Sequence, residues 1–197
     1  MKILNLYSGI GGNRRLWGEE HEITSVEFNE DIANIYSDLY PKDTLVIGDA
    51  HKYLRDNFSK FDFIWSSPPC QSHSSFRQNM CVRYKGTPPV FPDMQLYQQV
   101  IFLKYNFKGL FVVENVRPYY EYLIEPTAFI QRHPFWANFE IENKDFPKDK
   151  IRSAQIPDLQ KLHGVDLSKY KIPNKRQVLR NCVLSDLGKH VLDCAIN

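Results

Sequence analysis

The chain has 197 residues, of which 43% are hydrophobic and 24% charged; these proportions support one domain with a buried core and exclude a disordered or low-complexity protein. Its formal net charge of +2 neither requires nor forbids a polyanionic partner, so local charge must decide that question. No stretch approaches the ~18 apolar residues of a membrane span, and glycines soon break the apolar start, so no membrane partner and a cytoplasmic location are expected. Cys70, Cys81, Cys182 and Cys194 lack paired CxxC spacing, so no metal is expected.

In chain order, KILNLYS reads as a buried strand, and GIGG leads into a helix predicted over Asn13 to Glu20. EITSVEF is a second strand. Asn29 can cap a helix with Ile32, Ile35, Tyr36 and Leu39 at helical spacing, which Pro41 ends. TLVIGD is a third strand, Ala50 to Phe58 a short helix, and FDFIWSS a fourth strand. Asp93 is placed to cap a helix carrying Leu96, Val100, Leu103 and Phe107, and GLFVVENV follows as a fifth strand. Beyond Pro118 the pattern loosens: FWANFEIEN reads as one more strand, Lys148 to Lys175 as irregular, and SDLGKHVLDCAI as a closing amphipathic helix. Alternating strands and helical crossovers predict an α/β fold with a doubly wound, mostly parallel sheet.

In such a sheet, ligands bind beyond the carboxyl ends of the strands. Here those ends carry Gly9 to Gly12, Glu27, Asp49, Pro69 with Cys70, and Glu114 with Asn115. The glycines suit close backbone approach to a ligand, although Arg14 breaks the GxGxxG spacing. Glu27 is placed for ribose hydroxyls and Asp49 for a purine amino group. Singly, each is equally a tight turn or a solvated strand end. Pro68 and Pro69 fix the backbone and present Cys70 beyond its strand. Glu114 ends an apolar strand whose burial is expected to raise its proton affinity. A thiol beside a protonated acid suits addition to an electron-poor ring, whereas a small buried cysteine and a turn-capping glutamate are the plain alternatives.

Together these residues resemble the cytosine carbon-5 DNA methyltransferases. YSGIGG is similar to that family's first motif, Glu27 and Asp49 to its second and third, SPPCQSHS to its proline-cysteine-glutamine motif, ENV to its catalytic acid motif, and RNCVLSDLGKHVLDCAI to its last. The resemblance implies a Rossmann-like fold and S-adenosylmethionine as methyl donor, leaving S-adenosylhomocysteine. The implied donor contacts are Tyr7, Ser8, Gly9, Gly11, Gly12, Glu27 and Phe28, then Asp49, Ala50, Pro68 and Asn181. The implied reaction adds Cys70 to carbon 6 of a flipped-out cytosine, with Pro69, Gln71, Glu114 and Asn115 beside it. Double-stranded DNA is the implied partner, in a bacterial or phage-infected cell. Ser74, Arg77, Arg83 and Lys85 on the loop after the cysteine, with Lys175 and Arg176, are the implied DNA contacts.

Two departures matter. The family's Gln-x-Arg-x-Arg motif, which helps hold the flipped base, finds only Arg152 as a loose match. A separate target-recognition domain is missing as well. The expected organisation is a catalytic domain over 1–150, a short segment over 151–179 in its place, and a C-terminal helix over 180–197 returning to the catalytic domain. About thirty residues cannot build an independent core. Recognition is then minimal, carried by KYKIPNKRQ, or supplied by a specificity subunit or a homo-oligomer. The rivals are a tRNA cytosine-5 methyltransferase, an amino methyltransferase acting on adenine or cytosine, whose SPPY-type motif has an aromatic residue where Cys70 stands, and a degenerate, methyltransferase-like binding subunit.

Overall fold

The computed structural model describes residues 1–83, 88–147, 151 and 153–197. Four parallel pairings join β1 (Lys2–Leu6), β2 (Glu22–Glu27), β3 (Thr44–Ile47), β4 (Phe63–Ser66) and β5 (Leu110–Glu114). The sheet continues through β7 (His133–Ala137), antiparallel to β5, and β6 (Ala128–Ile130), antiparallel to β7, in the order β3-β2-β1-β4-β5-β7-β6. The direction of winding reverses between β1 and β4. That is the switch point where a doubly wound sheet opens a crevice at its carboxyl edge.

Side chains alternate across each strand, so both faces need cover. Ile3, Phe63, Trp65 and Val112 point to one face, where Leu187 and Val191 of α7 (Ser185–Ile196) and Trp17 cover them. Leu4, Leu6, Ile64 and Val113 point to the other. There they meet Leu54 of α2 (Ala50–Asn57) and Leu96, Val100 and Leu103 of α4 (Gln95–Asn106). The remaining helices are α1 (Glu30–Leu39), α3 (Ser75–Arg83), α5 (Ile156–His163) and α6 (Lys175–Asn181). Among the described residues no helix is long and apolar enough to cross a membrane.

Several sequence expectations change. The helix over Asn13 to Glu20 is one 3-10 turn, Asn13–Leu16. Gly18, at φ 82°, stops it, and the Trp17 indole turns inward to donate to the Gly188 carbonyl at 3.0 Å. Asp93 acts one residue earlier than a helix cap: its carboxylate accepts from Gln95 N at 3.0 Å, while Met94 occupies the cap position. The strand expected over FWANFEIEN starts earlier, at His133, and ends at Ala137. Beyond it Asn138 N still reaches the Phe111 carbonyl at 3.4 Å, but its side chain takes over the partner's donor, bonding Phe111 N and the Gly109 carbonyl.

The stretch read as irregular contains α5 and α6. α5 begins with Gln155 and Asp158 reciprocally capping and stops at Gly164 in the left-handed region, φ 60°. Leu159, Val165, Leu167 and Leu179 pack with Ile10 of the glycine loop and Ile35 of α1. The segment therefore forms no core of its own and becomes one wall of the crevice.

Candidate active site

A cavity of about 1010 Å³ opens at the carboxyl edge of the sheet. That volume is at the upper end of the ~300–1,000 Å³ usual for ligand sites, enough for a nucleoside-bearing cofactor and a base side by side. β2 and β5 reach the wall through their last residues, Glu27 and Glu114, β1 and β4 through the residues that follow them, and β3 through Asp49 and Ala50 at the start of α2.

At one end lie Tyr7, Ser8, Gly9 and Gly12 after β1, Glu27 and Phe28 after β2, Asp49 and Ala50, then Pro68, and Asn181 from α6. Tyr7 at φ 55° and Gly9 at φ 55° bend the loop over the sheet edge. Beneath it, Gln99 donates to the Tyr7 hydroxyl at 2.6 Å and accepts from Ser66 at 2.6 Å, a buried network that fixes the tyrosine. The Glu27 carboxylate accepts from Gly9 N and Asn29 N, both at 2.9 Å. Each oxygen keeps a lone pair for a ligand hydroxyl. Asp49, which also lines the cavity, spends only one oxygen, Oδ1, capping α2 at His51 N and Lys52 N.

Gly11 does not line this cavity. A Cβ there would lie 2.3 Å from the Tyr40 ring, and its carbonyl accepts from the Tyr40 hydroxyl at 2.7 Å. Its φ of 76° and the nearby Tyr36 and Tyr40 rings each demand glycine there, so packing by itself explains the residue. The nucleoside end does fit a donor. The Ser8 hydroxyl is buried without a hydrogen-bond partner among the described residues, and a buried polar group of that kind calls for a ligand or solvent to satisfy it.

The other end holds Pro69, Cys70 and Gln71 beyond β4, with Glu114 and Asn115 beyond β5. Asn115 ties the two strand ends together. Its amide donates to the Pro68 carbonyl at 2.9 Å in a buried bond, and its own oxygen accepts from Val116 N at 2.9 Å. Asn115→Ala leaves the Pro68 carbonyl without that partner. A loss of about 1–3 kcal/mol in urea unfolding is expected, with a fall in any Cys70-dependent reaction.

Glu114 overturns the expectation of a raised proton affinity. Burial does push it upward, but His133 opposes this, with Nδ1 at 2.6 Å from the carboxylate, and Ser67 and Arg132 help. The balance holds the carboxyl below its ordinary range. The Cys70 thiol is pushed the other way, up to about 11, by burial first and then by the Glu114 charge. Cys70 is therefore a neutral thiol at pH 7, and bound substrate must help ionise it.

Arg132 and His133 were not found from the sequence, although both line the cavity. The signal available was Gln131-Arg132 immediately ahead of an apolar strand. Arg152, the residue expected to help hold the base, lies outside the described residues, as does Lys85. Of the remaining expected DNA contacts, only Arg176 lines the main cavity, its Nε donating to the Ala154 carbonyl at 3.0 Å. Ser74 and Arg77 line a separate small cleft with Tyr119. Arg83 is exposed at the end of α3, and Lys175 is half-buried with its amine 3.5 Å from the Ser168 carbonyl. The α6 wall also contributes Gln177 and Arg180, and the Arg180 guanidinium sits 5.8 Å from the Phe76 ring of α3 across the cavity. Among the described residues no group of three or more His, Cys, Asp or Glu is gathered as a metal site.

No curated protein matches the chain. Similar solved structures include a DNMT2 mutant of Spodoptera frugiperda, 27% identical, covering 58% of this chain and 35% of that one with TM-score 0.42. The methyltransferase EhMeth of Entamoeba histolytica is 19% identical over 59% of this chain and 38% of its own, TM-score 0.39. A TehB-like S-adenosylmethionine-dependent methyltransferase of Corynebacterium glutamicum is 17% identical over 58% and 54%, TM-score 0.37. The chain thus spans little more than a third of the first two. The model of the C-5 cytosine-specific DNA methylases matches residues 1–120, which hold the glycine loop, both strand-end acids, the thiol and Glu114. With well over half its length matched, the chain belongs to the C-5 cytosine-specific DNA methylase family, whose methyl donor is S-adenosylmethionine.

Proposed function

We propose that the protein transfers a methyl group to carbon 5 of a cytosine extruded from double-stranded DNA, through a covalent adduct on Cys70. The observation that carries this reading is the placement of Cys70 and Glu114 on one wall system, locked by the Asn115–Pro68 bond, opposite the Glu27 and Asp49 end of the same cavity. S-adenosylmethionine, when bound, supplies an electrophilic methyl group. Glu27 would hold its ribose hydroxyls, Asp49 its purine amino group, Ser8 and Gly9 would come close through hydroxyl and backbone, and Asn181 would adjoin it.

Carbon 5 of cytosine is a weak nucleophile and is unreachable inside the stack, so the base must leave the duplex. Addition of the Cys70 sulfur to carbon 6 turns the ring into an enamine whose carbon 5 can accept the methyl group. The addition leaves negative charge on ring nitrogen 3, which must take up a proton. With Glu114 ionised and Cys70 neutral beforehand, the thiol proton passes to Glu114 and from it to ring nitrogen 3 as the sulfur adds, and the carboxylate then accepts hydrogen bonds from that N–H and the amino group. Loss of the carbon 5 proton and departure of the thiolate release 5-methylcytosine.

Recognition falls to the cavity rim. α6, with Arg176 facing the cavity and Lys175 beside it, and the loop carrying Ser74, Arg77 and Arg83 would meet phosphates on opposite sides of the extruded base. Such contacts make binding weaken steeply with salt. A short or loose target, or a specificity subunit or second copy, would fit a chain with so small a segment over 151–179.

The test is labelled methyl transfer onto duplex DNA and tRNA, with the product nucleoside identified. Duplex-dependent 5-methylcytosine supports the reading. Label on tRNA alone moves it to a tRNA cytosine-5 enzyme, N6-methyladenine or N4-methylcytosine to an amino methyltransferase, and no transfer to either polymer refutes it.

A further inference from the structure

We propose that His73 is a positioning residue, which fixes the Cys70 sulfur against Glu114 by bracing the turn after the nucleophile onto the chain that runs on from the acid. The inference rests on the reading of Cys70 and Glu114 given above. Upstream of the thiol, Ser67 and Pro68 are already tied to Glu114 and Asn115. A thiol held only from that side would swing about its own backbone.

Downstream, the Cys70 carbonyl accepts from His73 N at 3.1 Å and Ser74 N at 3.0 Å, closing a turn. The His73 carbonyl in turn accepts from Tyr119 N at 3.0 Å, and Ser74 pairs with Pro118 in an isolated bridge. The side chain completes the attachment. His73 is 1% exposed, its Nδ1 is hydrogen-bonded to the Tyr120 hydroxyl, and its ring packs edge-on against Tyr97 at 6.5 Å. Tyr119 and Tyr120 lie five and six residues beyond Glu114, so both braces end on the segment that carries the acid.

An imidazole is a costly way to fill a buried site that phenylalanine would fill. Its desolvation is offset only where a ring nitrogen finds a partner, and here Nδ1 does so at Tyr120 while the buried Nε2 has none among the described residues. Burial holds its proton affinity below the ordinary range, so the ring is neutral at pH 7 and serves as a hydrogen-bonding strut rather than a charge. One residue earlier, the Ser72 hydroxyl accepts from Asp93 N at 2.9 Å, pinching the neck of the loop that carries α3. A displacement of α3 would begin beyond Ser74, past the brace, and need not move the sulfur.

The test uses the whole chain with His73→Phe, Tyr120→Phe, both together, and His73→Asn, whose amide can reach the Tyr120 hydroxyl. The first readout is the rate at which iodoacetamide alkylates Cys70 in the folded protein, assigned by peptide mapping so that the other three cysteines do not interfere. A loosened thiol gains exposure, so His73→Phe and Tyr120→Phe should each react at least about fivefold faster, the double variant no faster than the quicker single, and His73→Asn close to wild type. The second readout is methyl transfer. The same two variants should lose about tenfold or more in kcat with KM for DNA and donor affinity little changed, since a misplaced nucleophile costs rate rather than binding. An unchanged Cys70 alkylation rate in folded His73→Phe and Tyr120→Phe, or effects that multiply in the double variant, overturns the brace whatever the enzyme methylates. Absence of transfer by the wild type onto DNA or tRNA instead defeats the functional reading. Tyr120→Phe removes one oxygen from a half-buried ring and keeps the test open if His73→Phe folds poorly.

Discussion

Replacing Cys70 by alanine is expected to lower methyl transfer by at least ~10⁴-fold while leaving donor affinity within about twofold. The asymmetry follows from the two-ended cavity. The nucleoside end is built from the loops after β1, β2 and β3, whereas Cys70 stands at the far end beyond β4. A cytosine fluorinated at carbon 5 cannot lose a proton there, so after methylation it should stay bonded to the sulfur of the wild-type protein. Digestion should place that adduct on the peptide containing Cys70. Cys182 also borders the cavity, but its thiol donates to the Val178 carbonyl at 3.4 Å, and burial pushes it up to about 12. It is a packing residue of the α6 wall. An adduct mapped to Cys182, or full turnover by the alanine variant, would remove Cys70 from the chemistry.

The five parallel strands and the chemistry at their ends were legible because both are local. Ile3 and Leu4, or Phe63 and Ile64, announce a strand buried on both faces. A cysteine between two prolines and a polar run announces a held side chain wherever the rest of the chain goes. The β6–β7 hairpin was not legible as such. β6 has three residues, and its two-residue turn is Gln131-Arg132, with Gln131 at φ 54° where a sequence reading looks for glycine or asparagine. α5 hid for a related reason: its cap is Gln155 with Asp158, outside the usual serine and threonine signature, though Gly164 did mark its end. Gly11 was ambiguous for a different reason, since a glycine demanded by an aromatic ring and one demanded by a ligand look alike in sequence. The state of Glu114 depended on His133, nineteen residues away across the β5–β7 pairing, and no local pattern connects them.

That pairing yields the second large effect. His133→Leu removes the largest of the groups that together outweigh desolvation at Glu114, so the carboxyl should move from below its ordinary range to above it. In the wild type the depressed value means that Glu114 adds stability above the ordinary carboxylate pKa of about 4.3, and that this contribution fades as pH falls through the lowered folded value. In the variant the sign reverses. A carboxyl harder to ionise in the fold than in the unfolded chain costs stability, increasingly as pH rises above about 4.3, until it ionises in the fold as well. Wild type and variant should therefore differ by about 3 kcal/mol or more in urea unfolding near pH 7.5, and by clearly less near pH 5. Catalysis should follow. With Glu114 neutral at pH 7, Cys70 loses the negative neighbour that helps raise its thiol, yet the thiol also loses the ionised carboxylate that takes up its proton as the sulfur adds. The second loss dominates, because a positioned general base is worth about 10²–10⁴ in rate. Glu114→Gln should reproduce the loss of rate without the altered pH dependence of stability. A His133→Leu protein whose stability deficit is the same at both pH values would show that the imidazole merely fills space, and Glu114 would then owe its charge to Arg132 and Ser67 alone.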